Sequence, residues 1–178
     1  MTDSPALLRA LQQEGVRFIV IGGAASTAHG SARLTLDLDV VYDRRPENVE
    51  RLVAAIRPLK PTLRGAPEGL PFIWDERTIK SGLNFTLSTS LGALDLLGEV
   101  AGGGRYEDLE KETETIHVFG VDCLCVTLDA LIRLKRVAGR RKDLEAIAEL
   151  ETIRDHAASR DARAGLTVSV AGPGAAGQ

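Results

Sequence analysis

Apolar residues recur along this chain with two periods. Residues 16–21 are apolar except for Arg17, and residues 36–41 alternate leucine with aspartate before two valines. Residues 83–87, 93–97, 115–119 and 121–126 are similar short runs, and each reads as a strand. Helical spacing marks other segments. Residues 5–14 carry Leu7, Leu8 and Leu11 on one face, with Ser4 placed to cap the start and Gly15 to end it. Residues 46–57 turn Val49, Leu52, Val53 and Ile56 inward before Pro58 and Pro61 stop the helix. A third helix begins after Thr127 with Leu128, Leu131, Ile132 and Leu134, and Gly139 breaks it. Asp143 opens a fourth, with Ala146, Leu150, Ile153 and Ala157 on one side.

Between these elements, the Gly/Pro-rich residues 63–72 read as a loop and residues 101–104, AGGG, as a flexible link. Residues 72–74 are expected to form a short strand with 77–80 as its return, and 106–111 a short helix. Trp74 either packs or stacks on a base. The interleaved pattern predicts an α/β fold: a small mixed β-sheet with helices on one side and a C-terminal helical pair beside a cleft. Residues 1–160 are expected to form one domain and 161–178, rich in Gly and Ala at the end, a flexible tail.

Composition narrows the function without naming it. The 178 residues suit a single compact domain, and 44% hydrophobic with 26% charged residues reads as globular. A formal net charge of −3 gives no global field for nucleic acid, so any such contact needs a local basic patch. No apolar run reaches the ~20 residues of a membrane helix, and a cytoplasmic protein is expected. Cys123 and Cys125 lack any metal-ligand spacing and read as small reduced core residues.

The chemistry concentrates in residues 22–39, GGAASTAHGSARLTLDLD. Gly22 and Gly23 directly follow an apolar strand, where they permit a tight turn and close approach of a ligand. Residues 24–29 can start a helix whose N-terminus offers N–H groups to a phosphate. Asp37 and Asp39 then share one strand face, their Cα atoms roughly 6.6–6.8 Å apart. Carboxylates so close repel, and a hard divalent cation relieves the conflict. Ser26 can bond a phosphate or its own helix backbone. His29 can end the helix or touch substrate. Arg33 can pair with a carboxylate or contact a triphosphate. Asp95, central in an otherwise apolar strand, is costly there unless paired or bound to metal; Glu99 is the fallback. Between residues 133 and 142 stand six basic residues and no acidic one, with Arg133, Arg136 and Arg140 on one helical stripe. They form either a solvated face or a phosphate clamp.

The strand, Gly-Gly, short helix and Asp-x-Asp strand together resemble the nucleotidyltransferase superfamily of polymerase-beta type. The set GGxA, HG, R.T.DLD and the late AGRRKD is similar to small bacterial nucleotidyltransferase-like proteins related to abortive-infection toxins, over roughly residues 16–155. Where the superfamily often has Ser after the glycine, this chain has Ala24. The resemblance implies that Asp37, Asp39 and Asp95 bind Mg²⁺ or Mn²⁺ and carry catalysis. It implies that Gly22, Gly23, Ser26, Arg33, Lys135 and Lys142 hold a nucleoside triphosphate, with Asp143 orienting a lysine. The implied activity is NMP transfer from an NTP to a hydroxyl of tRNA, a protein or a small molecule, in a toxin of a toxin–antitoxin pair. The competing expectation is an inactive partner protein, an antitoxin or regulatory binding module.

Overall fold

The computed structural model describes residues 1–67 and 71–168, the last eight of these as helical backbone only. The expected C-terminal tail is thus described only as far as Val168, and residues 169–178 lie outside the described residues.

Among the described residues, seven strands form one mixed sheet: β1 (Phe18–Ile21), β2 (Asp37–Tyr42), β3 (Thr62–Leu63), β4 (Asn84–Thr89), β5 (Gly92–Leu97), β6 (Thr113–Val118) and β7 (Val121–Val126). Their spatial order is β3-β4-β5-β2-β1-β7-β6. The pairs β1–β7 and β2–β5 are parallel, while β1–β2, β3–β4, β4–β5 and β6–β7 are antiparallel. The helices are α1 (Ser4–Gln13), α2 (Gly22–Ala28), α3 (Pro46–Ile56), α4 (Glu76–Ser81), α5 (Tyr106–Leu109), α6 (Leu128–Ala138) and α7 (Arg141–Val168). The expected α/β class and C-terminal helical pair are both present. Every residue of β1 is buried. Since alternate residues face opposite ways, the centre of the sheet is covered on both faces rather than by helices on one side.

Several local expectations change. The cap of α1 is Asp3, whose carboxylate accepts from the Ala6 N–H at 2.9 Å, and Ser4 is buried inside the first turn. Residues 72–74 form no strand, and Glu76–Ser81 is a helix capped by Asp75. Trp74 is buried, and its Nε1–H donates to the Val53 carbonyl at 3.1 Å. Residues 101–104 are not a loose link: Val100 bridges Gly104, and a side chain on Gly103 would run into Val100, Leu134 and Leu109. Leu36 precedes β2 and is 79% exposed, whereas Leu38 and Val40 are fully buried. The β6–β7 hairpin turns at Phe119 and Gly120, both at positive φ, a two-residue turn whose twist matches its strands. Cys123 and Cys125 are free and buried, and burial pushes the Cys125 thiol up to about 12. No described helix is long and apolar enough to cross a membrane.

The central strands are pinned at one end by Asn48, on α3. Its Oδ1 accepts from the Arg17 N–H at 2.6 Å, and its Nδ2 donates to the carbonyls of Arg17 and Asp43 at 3.0 and 2.8 Å. Asp43 itself is buried beneath Arg17 and Arg45. Removing the amide leaves the buried Asp43 carbonyl and the part-buried Arg17 N–H without this partner, while the Arg17 carbonyl keeps its bond from the Asp43 N–H. Asn48→Ala is expected to lower the unfolding free energy by about 2–3 kcal/mol. Urea denaturation reads this directly, and a loss below about 0.5 kcal/mol would contradict the role given to Asn48.

Candidate active site

The register of β2 brings the carboxylates together. Asp39 stands directly opposite Asp95 across the parallel β2–β5 pair, and Asp37 is opposite Ala93. Asp37, Asp39 and Asp95 therefore project from one face of adjacent strands. Carboxylate oxygens from the three lie within 4.8 Å of one another.

Burial and mutual repulsion act on the same groups. Asp39 is pushed up to about 6, first by burial and then by Asp37 and Asp95, while Lys142 and the Gly23 backbone N–H pull the other way. Asp95 is also raised by burial and by Asp37, with Arg64, Lys142 and Arg140 opposing. A cluster held at this cost, with hard oxygens converging, fits a divalent cation.

The glycines make the geometry possible. Gly22 has φ +65°, a region L side chains rarely adopt, and a Cβ there would overlap the Asp39 carboxylate. A Cβ on Gly23 would lie 2.5 Å from Thr35 Oγ1. Thr35 in turn donates to the Asp37 carbonyl at 2.8 Å, bracing the entry to β2.

A cleft of about 390 Å³ opens beside the triad. Its floor includes Gly22, Gly23, Asp37 and Asp39, and its wall Lys135, Arg140, Lys142 and Asp143. The wall exists because α6 and α7 pack together and α6 also packs on α2. Lys135 and Asp143 are almost buried and lie 3.5 Å apart, Nζ to Oδ1, across the interhelical turn. Arg140 also pairs with Asp143. One buried carboxylate thus holds two cations at the edge of the cleft.

Several solved structures resemble this chain. The solution structure of the antibiotic-resistance factor ANT(2'')-Ia has a TM-score of 0.50 at 17% identity, covering 92% of this chain and 94% of that one. The crystal structure of ANT(2'')-Ia in complex with adenylyl-2''-tobramycin gives 0.50 at 17% identity, over 87% and 94% of the two chains. A candidate nucleotidyltransferase from Thermotoga maritima gives 0.46 at 14% identity, over 86% and 89%. The chain has the nucleotidyltransferase fold. No protein-family model matches the sequence, and no curated protein matches it.

On this nucleotidyltransferase fold the sequence candidates divide. Gly22, Gly23, Ser26, Arg33, Asp37, Asp39, Lys135, Lys142 and Asp143 all line the cleft, and Asp95 completes the acidic cluster. Ser26 Oγ donates to the Gly22 carbonyl at 3.0 Å, so its hydroxyl is engaged within α2. Arg33 pairs with Glu149 on α7 at 2.9 Å and donates to the Glu145 carbonyl, not to the triad. His29 ends α2, and its Nε2 lies 2.7 Å from the Val126 carbonyl. The basic stripe splits as well: Arg133 chelates Glu112, Arg136 pairs with Glu151, and Arg140 alone of these three lines the cleft. Glu99 pairs with Arg105 and stands outside the cluster.

Sequence reasoning missed Arg64. Its Nη2 lies 2.7 Å from Asp95 and 4.0 Å from Asp37. No local signal marked it, because its reach depends on the pairing of β3 with β4.

The raised Asp39 gives a pH signature. Its folded value, about 6, lies above the ordinary 3.8. The stability it contributes is fully present below the ordinary value and is lost as pH rises through about 6. Asp95 moves in the same direction. In EDTA, Asp39→Asn is therefore expected to raise stability at pH 8, by up to about 3 kcal/mol, with little gain at pH 4. Thermal melts at both pH values test this; a variant less stable than the parent at pH 8 would contradict it.

Proposed function

We propose that this chain is a metal-dependent nucleotidyltransferase that moves NMP from an NTP to a hydroxyl acceptor. The observation that carries the reading is the convergence of Asp37, Asp39 and Asp95 at one end of a cleft walled by Lys135, Arg140 and Lys142. Acid cluster and basic wall suit the two ends of a metal triphosphate. Mg²⁺ or Mn²⁺ held by the three aspartates would supply positive charge to the reacting phosphate and the departing pyrophosphate.

The chain's own residues have separable tasks. Gly22 and Gly23 keep the cleft floor free of side chains, so phosphates can approach the backbone. Lys142 and Arg140 neutralise the triphosphate, and Asp143 holds Arg140 and Lys135 in place. Leu34 and Leu36, exposed at the cleft rim, offer apolar surface to a base. Asp95 takes the proton from the acceptor hydroxyl as its oxygen bonds to the α-phosphorus; the bond to the β-phosphate oxygen breaks, and pyrophosphate leaves. Burial raises the carboxyl of Asp95, which brings it toward the range useful for a base.

The fold's likeness to ANT(2'')-Ia, caught with adenylyl-2''-tobramycin, supports nucleotide transfer to a hydroxyl as the reaction class. Acceptors from a tRNA end to a protein hydroxyl or a small polyhydroxyl compound are compatible with the open triad.

The test uses each of the four α-labelled NTPs separately with Mg²⁺, offering total tRNA, lysate protein and aminoglycosides as acceptors. Label is expected on one acceptor class with the parent chain. Asp37→Asn is expected to lower transfer at least about a hundredfold while keeping the fold. Full transfer by that variant would sink the metal assignment. No transfer to any acceptor by a folded parent chain would favour the inactive partner protein.

A further inference from the structure

Arg64 follows Leu63 at the end of β3, and its backbone N–H donates to the Thr86 carbonyl at 2.9 Å. Pairing sets Thr62 opposite Ser88, Leu63 opposite Leu87, and Thr86 opposite Asp95. Since side chains alternate, Thr62, Arg64, Thr86 and Asp95 occupy one face of the sheet. Arg64 thus reaches across β4 to the acidic cluster from the side away from Gly22 and Gly23. Its anchor is backbone, and its side chain is one-third exposed.

The contact is with the oxygens a cation would need. Nη2 lies 2.7 Å from Asp95 Oδ1 and 4.0 Å from Asp37 Oδ2. Among the described ion pairs, no other cation reaches the triad directly; Lys142 and Arg140 act on it through their field. A guanidinium stays charged at any ordinary pH, so it cannot yield by losing a proton. It yields only by moving.

We propose that Arg64 is a positioning residue for the triad: it bridges Asp95 and Asp37 as an internal counter-cation, holds their oxygens together, and surrenders them when a divalent ion binds. This rests on the metal reading of the triad. Arg64 and the ion then compete for the same carboxylates, so the parent chain binds the ion less tightly than a triad without the arginine.

The test is Mn²⁺ binding to the full chain at pH 8 without nucleotide, followed by electron paramagnetic resonance and calorimetry. R64Q and R64A remove the charge and are expected to tighten binding about tenfold, because the ion no longer has to displace a guanidinium paired with Asp95. R64K is expected to restore affinity toward that of the parent chain. Asp39→Asn should abolish binding in both the parent and R64Q backgrounds. Asp39-dependent binding that R64Q and R64A leave unchanged or weakened would overturn the role of Arg64 and keep the metal site. Absence of Asp39-dependent binding in the parent and both variants would overturn the metal reading, and this inference with it.

Discussion

Three carboxylates forced together on neighbouring strands are the constraint on which the rest of this structure depends. Asp39 and Asp95 meet because β2 and β5 pair in parallel, in the register that puts the two residues opposite. Like charges so placed, half out of water, destabilise the metal-free protein. The surroundings answer that repulsion in layers. Arg64 touches Asp95, the Gly23 N–H draws Asp39 down, and Lys142 adds its field. Gly22 gives Asp39 room by lacking a Cβ. A surface strand with an idle Asp-x-Asp would need none of this.

The positive wall has its own support. Lys135 would be costly to bury alone, and Asp143 offsets that by pairing with it at 3.5 Å. The same carboxylate takes Arg140, so the turn between α6 and α7 is tied at the cleft rather than left to drift. Gly139 at φ +63° ends α6 there and lets the chain reverse. Packing, capping and charge therefore converge on one edge of the cleft, while Arg133 and Arg136 serve to hold α6 to Glu112 and α7.

Much of this was legible in the sequence because it is local. Strand alternation separated Asp37 and Asp39 from Leu38 and Val40, and an aspartate between leucines marked Asp95. Helix periods gave α3 and α6 nearly to their ends. What escaped depends on distant pairing. Arg64 sits in a Gly/Pro-rich stretch with no readable period, and its partner is set by the β3–β4–β5 register. Arg33 lies four residues before Asp37 yet pairs with Glu149 on α7, a choice made by tertiary packing. Leu36 fits the strand alternation but precedes β2 and is exposed, for the strand begins only at Asp37. Ser4 and Asp3 are both good caps, and one residue of chain direction decided between them.

The most direct test of the central claim is a crystal structure of the chain with Mn²⁺ and a non-hydrolysable NTP, read by the anomalous signal of manganese. The expected result is an ion within about 2.0–2.3 Å of carboxylate oxygens of Asp37 and Asp39, with the triphosphate between it and Lys142. An ordered nucleotide seated elsewhere, or manganese with no peak at these aspartates, would contradict the claim that this cleft exists to hold a metal triphosphate.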